Sequence, residues 1–396
     1  MTYSAVAVER AMTIHQALLH ALHGRQTWLQ VADVVGLSPR SVRRWRARLE
    51  QFGVPGLVDR RRQSPSPRRV PLDELQRVLR LYRERYQGFN VRHFHQLARR
   101  DHGVTFSYTL LKTALQGAGL VTKGRARGRH RRRREPRPCF GELLHLDGSR
   151  HRWLALVPDA WHTLVVVVDD ATTQILYAHL IEGGESTRAI MQALWAVFER
   201  HGLPGALYTD RAHWAVHTPT SGSAPDRTRL TQVGRALHAL GVEHILGHSP
   251  QARGRSERAN RTLQDRLVNE LRLAGIRTLA AANRYLVERF LPEFNRTFGR
   301  RPADPAVSFA RVTPAQLEPI LCHEEARIVA RDNTVVLDRV VLQIAKQRGR
   351  RTCAGLPVLV RRHLDGRHTV WWGRRCLGRY DDAGRPLTLR PTTASA

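Results

Sequence analysis

The sequence predicts a multidomain α+β protein: helix-turn-helix modules at the amino terminus, a central α/β core, and a small β-barrel at the carboxyl terminus. Three observations predict it. Residues 9–122 carry helical apolar spacing broken by cap and turn signals, the middle of the chain alternates strand and helix patterns, and the stretch beyond residue 320 reads as short strands around a hairpin turn. With 396 residues, the chain is long enough to bury several cores.

Charge narrows the partner before any motif does. The chain has 65 basic against 34 acidic residues, a formal net charge of +31. Only Lys112, Lys123 and Lys346 of the bases are lysines. Arginine forks bidentately around phosphate and stacks on bases, so a polyanion is implied, DNA or RNA before a membrane surface; with the motifs below, double-stranded DNA is the partner expected. Cys139, Cys322, Cys353 and Cys376 are too scattered for a zinc motif or a disulfide framework. No apolar run is long enough for a membrane span, and the amino terminus lacks a basic-then-apolar export pattern.

In chain order, residues 1–62 form the first helical domain. A run from Trp28 to Val35 ends at Gly36; Ser38 then caps a second helix with Pro39 in its first position. Val42, Trp45 and Leu49 line one side of that helix, and Arg40, Arg43, Arg44 and Arg48 occupy others. Helix, short turn and arginine-rich helix describe a reader of the DNA major groove. A Ser-, Pro- and Arg-rich break at 60–71 leads to a second helical domain, 70–124, where Ser107 caps a helix bearing Tyr108 and Lys112. Residues 125–138 form a basic linker.

The central domain, 139–300, has three strands (Leu143–Asp147, Thr163–Val168, Gln174–Ile181), a helix capped by Ser186, strand Ala206–Asp210, helix Val233–Leu240, strand Val242–Leu246 and a last helix. That order is the order of the ribonuclease-H-like fold. In it the ends of the strands bearing Asp147 and Asp210 are neighbours, and the last helix crosses the same edge. This helix follows a loop with Pro250 and Gly254; Ala259, Leu263, Leu267 and Leu271 make its apolar face. Glu257 begins it among Arg253, Arg255, Arg258, Asn260 and Arg261, residues suited to gripping DNA. A bland reading makes Glu257 a solvated acid favoured by the helix dipole. The sharper one gathers Asp147, Asp210 and Glu257 around two hard divalent ions. Asp169 and Asp170 also sit together, at the end of an apolar strand, and Glu142 and Asp159 read as surface or loop acids. Beyond a Pro-rich bridge, residues 320–385 read as the β-barrel, with Arg361, Arg362, Arg367, Arg374 and Arg375 as a third basic surface and at least one of Trp371 and Trp372 in its core.

The stretches GELLHLDGSRHRWL (141–154), VVDDAT (167–172), LYTDRA (207–212), LTQVGRALHALGVEHI (230–245) and SPQARGRSERANRTLQDRLVNEL (249–271) thread the whole central domain. With them the sequence resembles a bacterial insertion-sequence transposase with a DDE, retroviral-integrase-type catalytic core, of the ISNCY-like group. That resemblance implies Asp147, Asp210 and Glu257 as catalytic and metal-holding triad, two Mg²⁺ ions with Mn²⁺ able to substitute, binding of terminal inverted repeats, and cleavage followed by strand transfer. It also implies a structural role for the Asp169–Asp170 pair in fixing the turn to the next strand, and a homo-oligomer on DNA, in the bacterial cytoplasm at the nucleoid. The gap between Asp210 and Glu257 is longer than the family commonly has, and residues 213–229 read as the insertion. The alternatives are a domesticated, catalytically inactive DNA-binding regulator and a ribonuclease-H-type nuclease without strand transfer.

Overall fold

The computed structural model describes residues 5–58, 70–122, 135–157, 159–217, 229–247 and 254–387, with side chains from Glu257 onward in the last stretch. The break at 60–69 and most of the basic linker, residues 123–134, lie outside the described residues, as do His248 and Arg253. The chain divides into two compact units, Met1–Arg77 and Val78–Ala396. The second helical stretch, the central sheet and the carboxy-terminal strands therefore share one unit.

In the first unit, α1 (Ala5–Leu22), α2 (Trp28–Val35) and α3 (Pro39–Phe52) enclose Ile14, Leu18, Val31, Val42 and Leu57. Thr27 and Gln30 form a capping box that starts α2, and Gly36 ends it in the left-handed region at φ 65°. Ser38 accepts from the backbone N–H of Ser41 to start α3, with Pro39 where its missing N–H costs nothing.

Helix α4 (Leu72–Arg85) straddles the division, followed by α5 (Val91–His102) and α6 (Tyr108–Gly117). Asn90 and Ser107 cap the latter two. Tyr82, Tyr86, Phe89 and Phe94 are buried together, and the Tyr82 hydroxyl donates to the Phe89 carbonyl at 2.8 Å.

The central region runs β1 (Cys139–Phe140), β2 (Leu143–His151), β3 (His162–Asp169), β4 (Ile175–Glu182), α7 (Thr187–His201), β5 (Ala206–Thr209), α8 (Gln232–Ala239), β6 (Glu243–Leu246) and α9 (Gly254–Leu273). Strands β4-β3-β2-β5-β6 form one sheet, antiparallel from β4 to β2 and parallel from β2 to β6. Strand β3 is buried on both faces, which its run of valines requires. One face packs Leu144, Leu146, Val165 and Val167 under α7 and α8. The other packs Leu164, Val166 and Val168 under Leu263, Leu267 and Leu271 of α9. Helices α10 (Leu279–Tyr285) and α11 (Leu291–Phe298) are joined through a π turn, Leu286–Phe290. Pro292, which has no N–H to continue an α ladder, follows that turn directly. Strand β7 (Asp304–Val307) pairs with β1, and a short α12 (Pro314–Leu317) closes the region.

The carboxy-terminal strands are β8 (His323–Ile328), β9 (Thr334–Leu337), β10 (Val340–Gln343), β11 (Pro357–Arg362), β12 (His368–Trp372) and β13 (Arg375–Tyr380). The expected barrel is not what they form. Among the described residues they make an open sheet, β13-β12-β11-β8, and a separate β9–β10 hairpin. The hairpin presses Val335, Leu337 and Leu342 onto Val358, Val360, Val370 and Leu377, covering the apolar face by packing, without closing a hydrogen-bonded ring. Neither tryptophan expected in this core is buried: Trp371 is half-buried and Trp372 is 37% exposed. Each instead lies under a guanidinium, Arg361 and Arg350 respectively.

Candidate active site

Strand register brings two of the three candidate carboxylates together. Parallel strands β2 and β5 pair Leu143 with Ala206, Leu144 with Leu207 and His145 with Tyr208. Continued along the strands, that register sets Asp147 level with Asp210. Because side chains alternate, Asp147 lies on the face covered by α9, and Asp210 stands one residue past the end of β5. Both carboxylates are half-buried, and the Asp210 Oδ1 accepts from the Ala212 backbone N–H at 2.9 Å.

Helix α9 runs along β2 with two polar pins. Asn260 donates from Nδ2 to the Asp147 Oδ2 at 2.9 Å, and Gln264 donates from Nε2 to the Ser149 Oγ at 2.9 Å. Asn260, read from sequence as a DNA contact, thus holds a carboxylate. Glu257 lies three residues before it, on the same helical face, in the first turn and exposed. Among the described residues no three His, Cys, Asp or Glu side chains stand close enough together to hold a metal ion. Of the other acids that could stand in for Glu257, Asp265 accepts from Asn90 and Glu243 is exposed on β6; Asp226 lies outside the described residues.

A carboxylate that the sequence reading passed over lies beside the Asp147–Asp210 pair. Glu185 precedes the Ser186 cap of α7 and accepts a hydrogen bond from the indole N–H of Trp214. A Cβ built on Gly148 would overlap its carboxylate, so the glycine next to Asp147 makes room for it. Burial pushes the Glu185 carboxyl above its usual range, the Trp214 N–H pulls it back, and the nearby Asp210 pushes it up again. Trp214 itself is 2% exposed, and Ala215 and Val216 are also buried. The start of the expected insertion is therefore core, and a lone tryptophan so soon after Asp210 is the signal that could have shown it.

The Asp169–Asp170 pair is structural, as expected. Asp169 accepts from the backbone N–H groups of Gly141 and Thr172 and from the Thr172 hydroxyl; Asp170 accepts from Arg137 N and lies 2.9 Å from His145 Nε2. Burial pushes the Asp169 carboxyl up. Glu142 lies within ion-pair distance of Arg137, and the exposed Asp159 lies near Arg152.

The candidate DNA contacts differ in availability. Arg40, Arg43 and Arg44 are exposed on α3, whereas Arg48 is half-buried with its guanidinium over the Trp45 ring. Lys112 is exposed on α6; Tyr108 is half-buried beneath Arg92. Arg258 and Arg261 are exposed on α9, and Arg255 lies in its first turn. In the carboxy-terminal sheet, Arg361, Arg362 and Arg367 are paired with Glu324, Asp338 and Glu318. Only Arg374 and Arg375 of that expected surface are exposed with no ion pair among the described residues.

An exposed basic helix in a capped helix-turn-helix is the arrangement of a DNA-binding module. Residues 15–78 match the winged helix-turn-helix family model; no strand lies among described residues 5–58. The chain is 33% identical over 367 residues to y4bF of Sinorhizobium fredii, a protein named as a transposase, covering 92% of this chain and 79% of that one. It is 27% identical over 313 residues to the transposase for insertion sequence IS1202 of Streptococcus pneumoniae, covering 70% and 66%. A simian T-cell lymphotropic virus intasome structure overlaps 74% of this chain and 91% of its own at 13% identity, with a TM-score of 0.33. The chain belongs to the transposase family.

Proposed function

We propose that this transposase binds the terminal inverted repeats of an insertion sequence, cleaves DNA at its ends and transfers the freed strands, with Asp147, Asp210 and Glu257 as its catalytic triad. The observation that carries the reading is the level placement of Asp147 and Asp210, with the helix of Glu257 pinned to Asp147 through Asn260. The sheet order β4-β3-β2-β5-β6, antiparallel then parallel, supports a ribonuclease-H-like core.

The donors fit a hard divalent cation: carboxylate oxygens, half-buried on Asp147 and Asp210 and exposed on Glu257, with no thiol among them. Asp147, Asp210 and Glu257 would hold two Mg²⁺ ions, or Mn²⁺ in their place, which when bound lower the pKa of an attacking oxygen and neutralise charge on a leaving one. The chain's own residues do the rest. Asn260 engages one oxygen of Asp147, and Ala212 N engages one of Asp210, which fixes both carboxylates. Arg258 and Arg261 draw the phosphate backbone toward the same edge. Water adds to phosphorus as the 3′ oxygen leaves; that 3′ hydroxyl then attacks a target phosphodiester, exchanging one P–O bond for another with no outside energy source. Arg40, Arg43 and Arg44, exposed on α3, would read the repeat, and a homo-oligomer would bring two ends together.

The test is cleavage of labelled terminal-repeat DNA by the purified chain in Mg²⁺. Nicks at the element boundary that vanish in Asp147→Asn and Asp210→Asn support the reading. Repeat binding with no cleavage by wild type in Mg²⁺ or Mn²⁺ would favour the inactive regulator.

A further inference from the structure

We propose that Glu185 is a positioning residue of the Asp147–Asp210 site, clamping the Trp214 indole against Gly148 so that the turn carrying Asp210 is held beside β2. This inference rests on the catalytic reading of Asp147 and Asp210 and concerns a residue outside that triad.

Two contacts converge on this one side chain. Its carboxylate accepts from the Trp214 N–H, and the same carboxylate lies against the Gly148 Cα, next to Asp147. Trp214 in turn belongs to the segment of Asp210. Ala212 N donates to the Asp210 Oδ1, and the N–H groups of Ala215 and Val216 both donate to the Ala212 carbonyl. Asp210 and Trp214 are therefore two ends of one compact turn. The indole is buried in the same core cluster as Leu144, Leu146 and Leu194, so it cannot move without disturbing that cluster. Glu185 is the polar link between this turn and the strand of Asp147.

Glycine at 148 is part of the device. Its φ is ordinary, so no turn demands glycine; what demands it is the carboxylate lying where a Cβ would be. A side chain at 148 would drive Glu185 off the indole while leaving every titratable group in place.

The test compares Glu185→Ala, Glu185→Gln and Gly148→Ala in the full chain. Glutamine can still accept from the indole; alanine cannot. Glu185→Ala is expected to lower kcat for end cleavage by about tenfold or more with KM for repeat DNA unchanged, and to weaken Mn²⁺ binding to the DNA-free protein by about tenfold, as loss of an outer support for a ligand does. Glu185→Gln should recover most of both losses, and Gly148→Ala should reproduce the alanine defect with Glu185 still present. Mn²⁺ affinity, read by titrating free Mn²⁺ with electron paramagnetic resonance, does not depend on turnover. Wild-type kcat and Mn²⁺ affinity in soluble Glu185→Ala or Gly148→Ala would overturn the proposal. So would a Glu185→Gln protein as impaired as alanine, since that outcome makes the charge, not the clamp, the working part. Asp210→Asn separates the two levels: normal cleavage there overturns the catalytic reading itself, whereas loss there with normal Glu185→Ala overturns only the clamp.

Discussion

The side-chain amide of Asn260 donates to the Asp147 carboxylate at 2.9 Å across 113 residues of chain. It couples the strand of one candidate ligand to the helix of another, one turn beyond Glu257. Asn260→Leu should remove this support while keeping the helix. Repeat binding is expected to persist, with end cleavage reduced roughly tenfold. Gel-shift and cleavage assays on one preparation decide it; a binding loss with normal cleavage of bound DNA would return Asn260 to the DNA contacts.

Glu257→Gln keeps size and hydrogen bonding but removes the charge that a divalent ion needs. Folding and repeat binding should survive, while cleavage and strand transfer both fall below detection. As a solvated helix-start acid, Glu257 would instead contribute only about 0.3–1 kcal/mol to helix stability, and the variant would cleave normally. Asp169→Asn is the contrast: it disturbs a buried acid whose carboxylate accepts three hydrogen bonds around its turn, so the loss should appear in the melting temperature before it appears in the chemistry of folded molecules.

The arginines of α3 bear on binding alone. Arg43→Ala with Arg44→Ala should weaken repeat binding and flatten its dependence on salt, since each lost phosphate contact lowers the slope of log K against log salt by about 0.9. An unchanged footprint on the terminal repeat would remove α3 from the reading of DNA.

Helix α9 is gripped from its other side by the second helical stretch. His93, buried, lies 2.8 Å from Glu270, which also accepts from the Tyr285 hydroxyl; Arg266 donates to Gln96, and Arg272 to the Gln87 carbonyl. Glu270→Ala leaves two buried polar groups without this partner and should cost about 3 kcal/mol of stability. Urea unfolding measures that cost. A change under about 0.5 kcal/mol, the size expected of a surface site, would show that α9 does not depend on this contact.

Burial holds the His244 imidazole down at about 4, on β6 beside the Thr209 hydroxyl, 2.9 Å away. The unfolded value is about 6.5. A depressed folded value means that the unfolded chain takes up the proton first. The contribution is present above pH ~6.5 and lost as pH falls through about 4, a change on the order of 2–3 kcal/mol. His244→Gln should therefore show a shallower fall in stability between pH 7 and 4 than wild type; parallel curves would remove His244 as the cause.

Local chemistry settled much of this protein before any contact was known. Ser38, Pro39 and Gly36 define helix ends because caps and left-handed turns are decided within a few residues, and the valines of β3 announce a strand buried on both faces because no partner is needed to recognise them. The acids Asp147 and Asp210 were also legible, since each ends a strand-like run beside a family motif. Tertiary structure alone decided what they meet. The offset between β2 and β5 that sets them level, the Asn260 amide on Asp147, and Glu185 lying over Gly148 join residues far apart in the chain, and no local pattern specifies such pairings. The carboxy-terminal strands make the same point in reverse: their alternation identified strands, but whether they close into a barrel or lie open under a hairpin depends on which edges meet, a choice made by packing across the whole core.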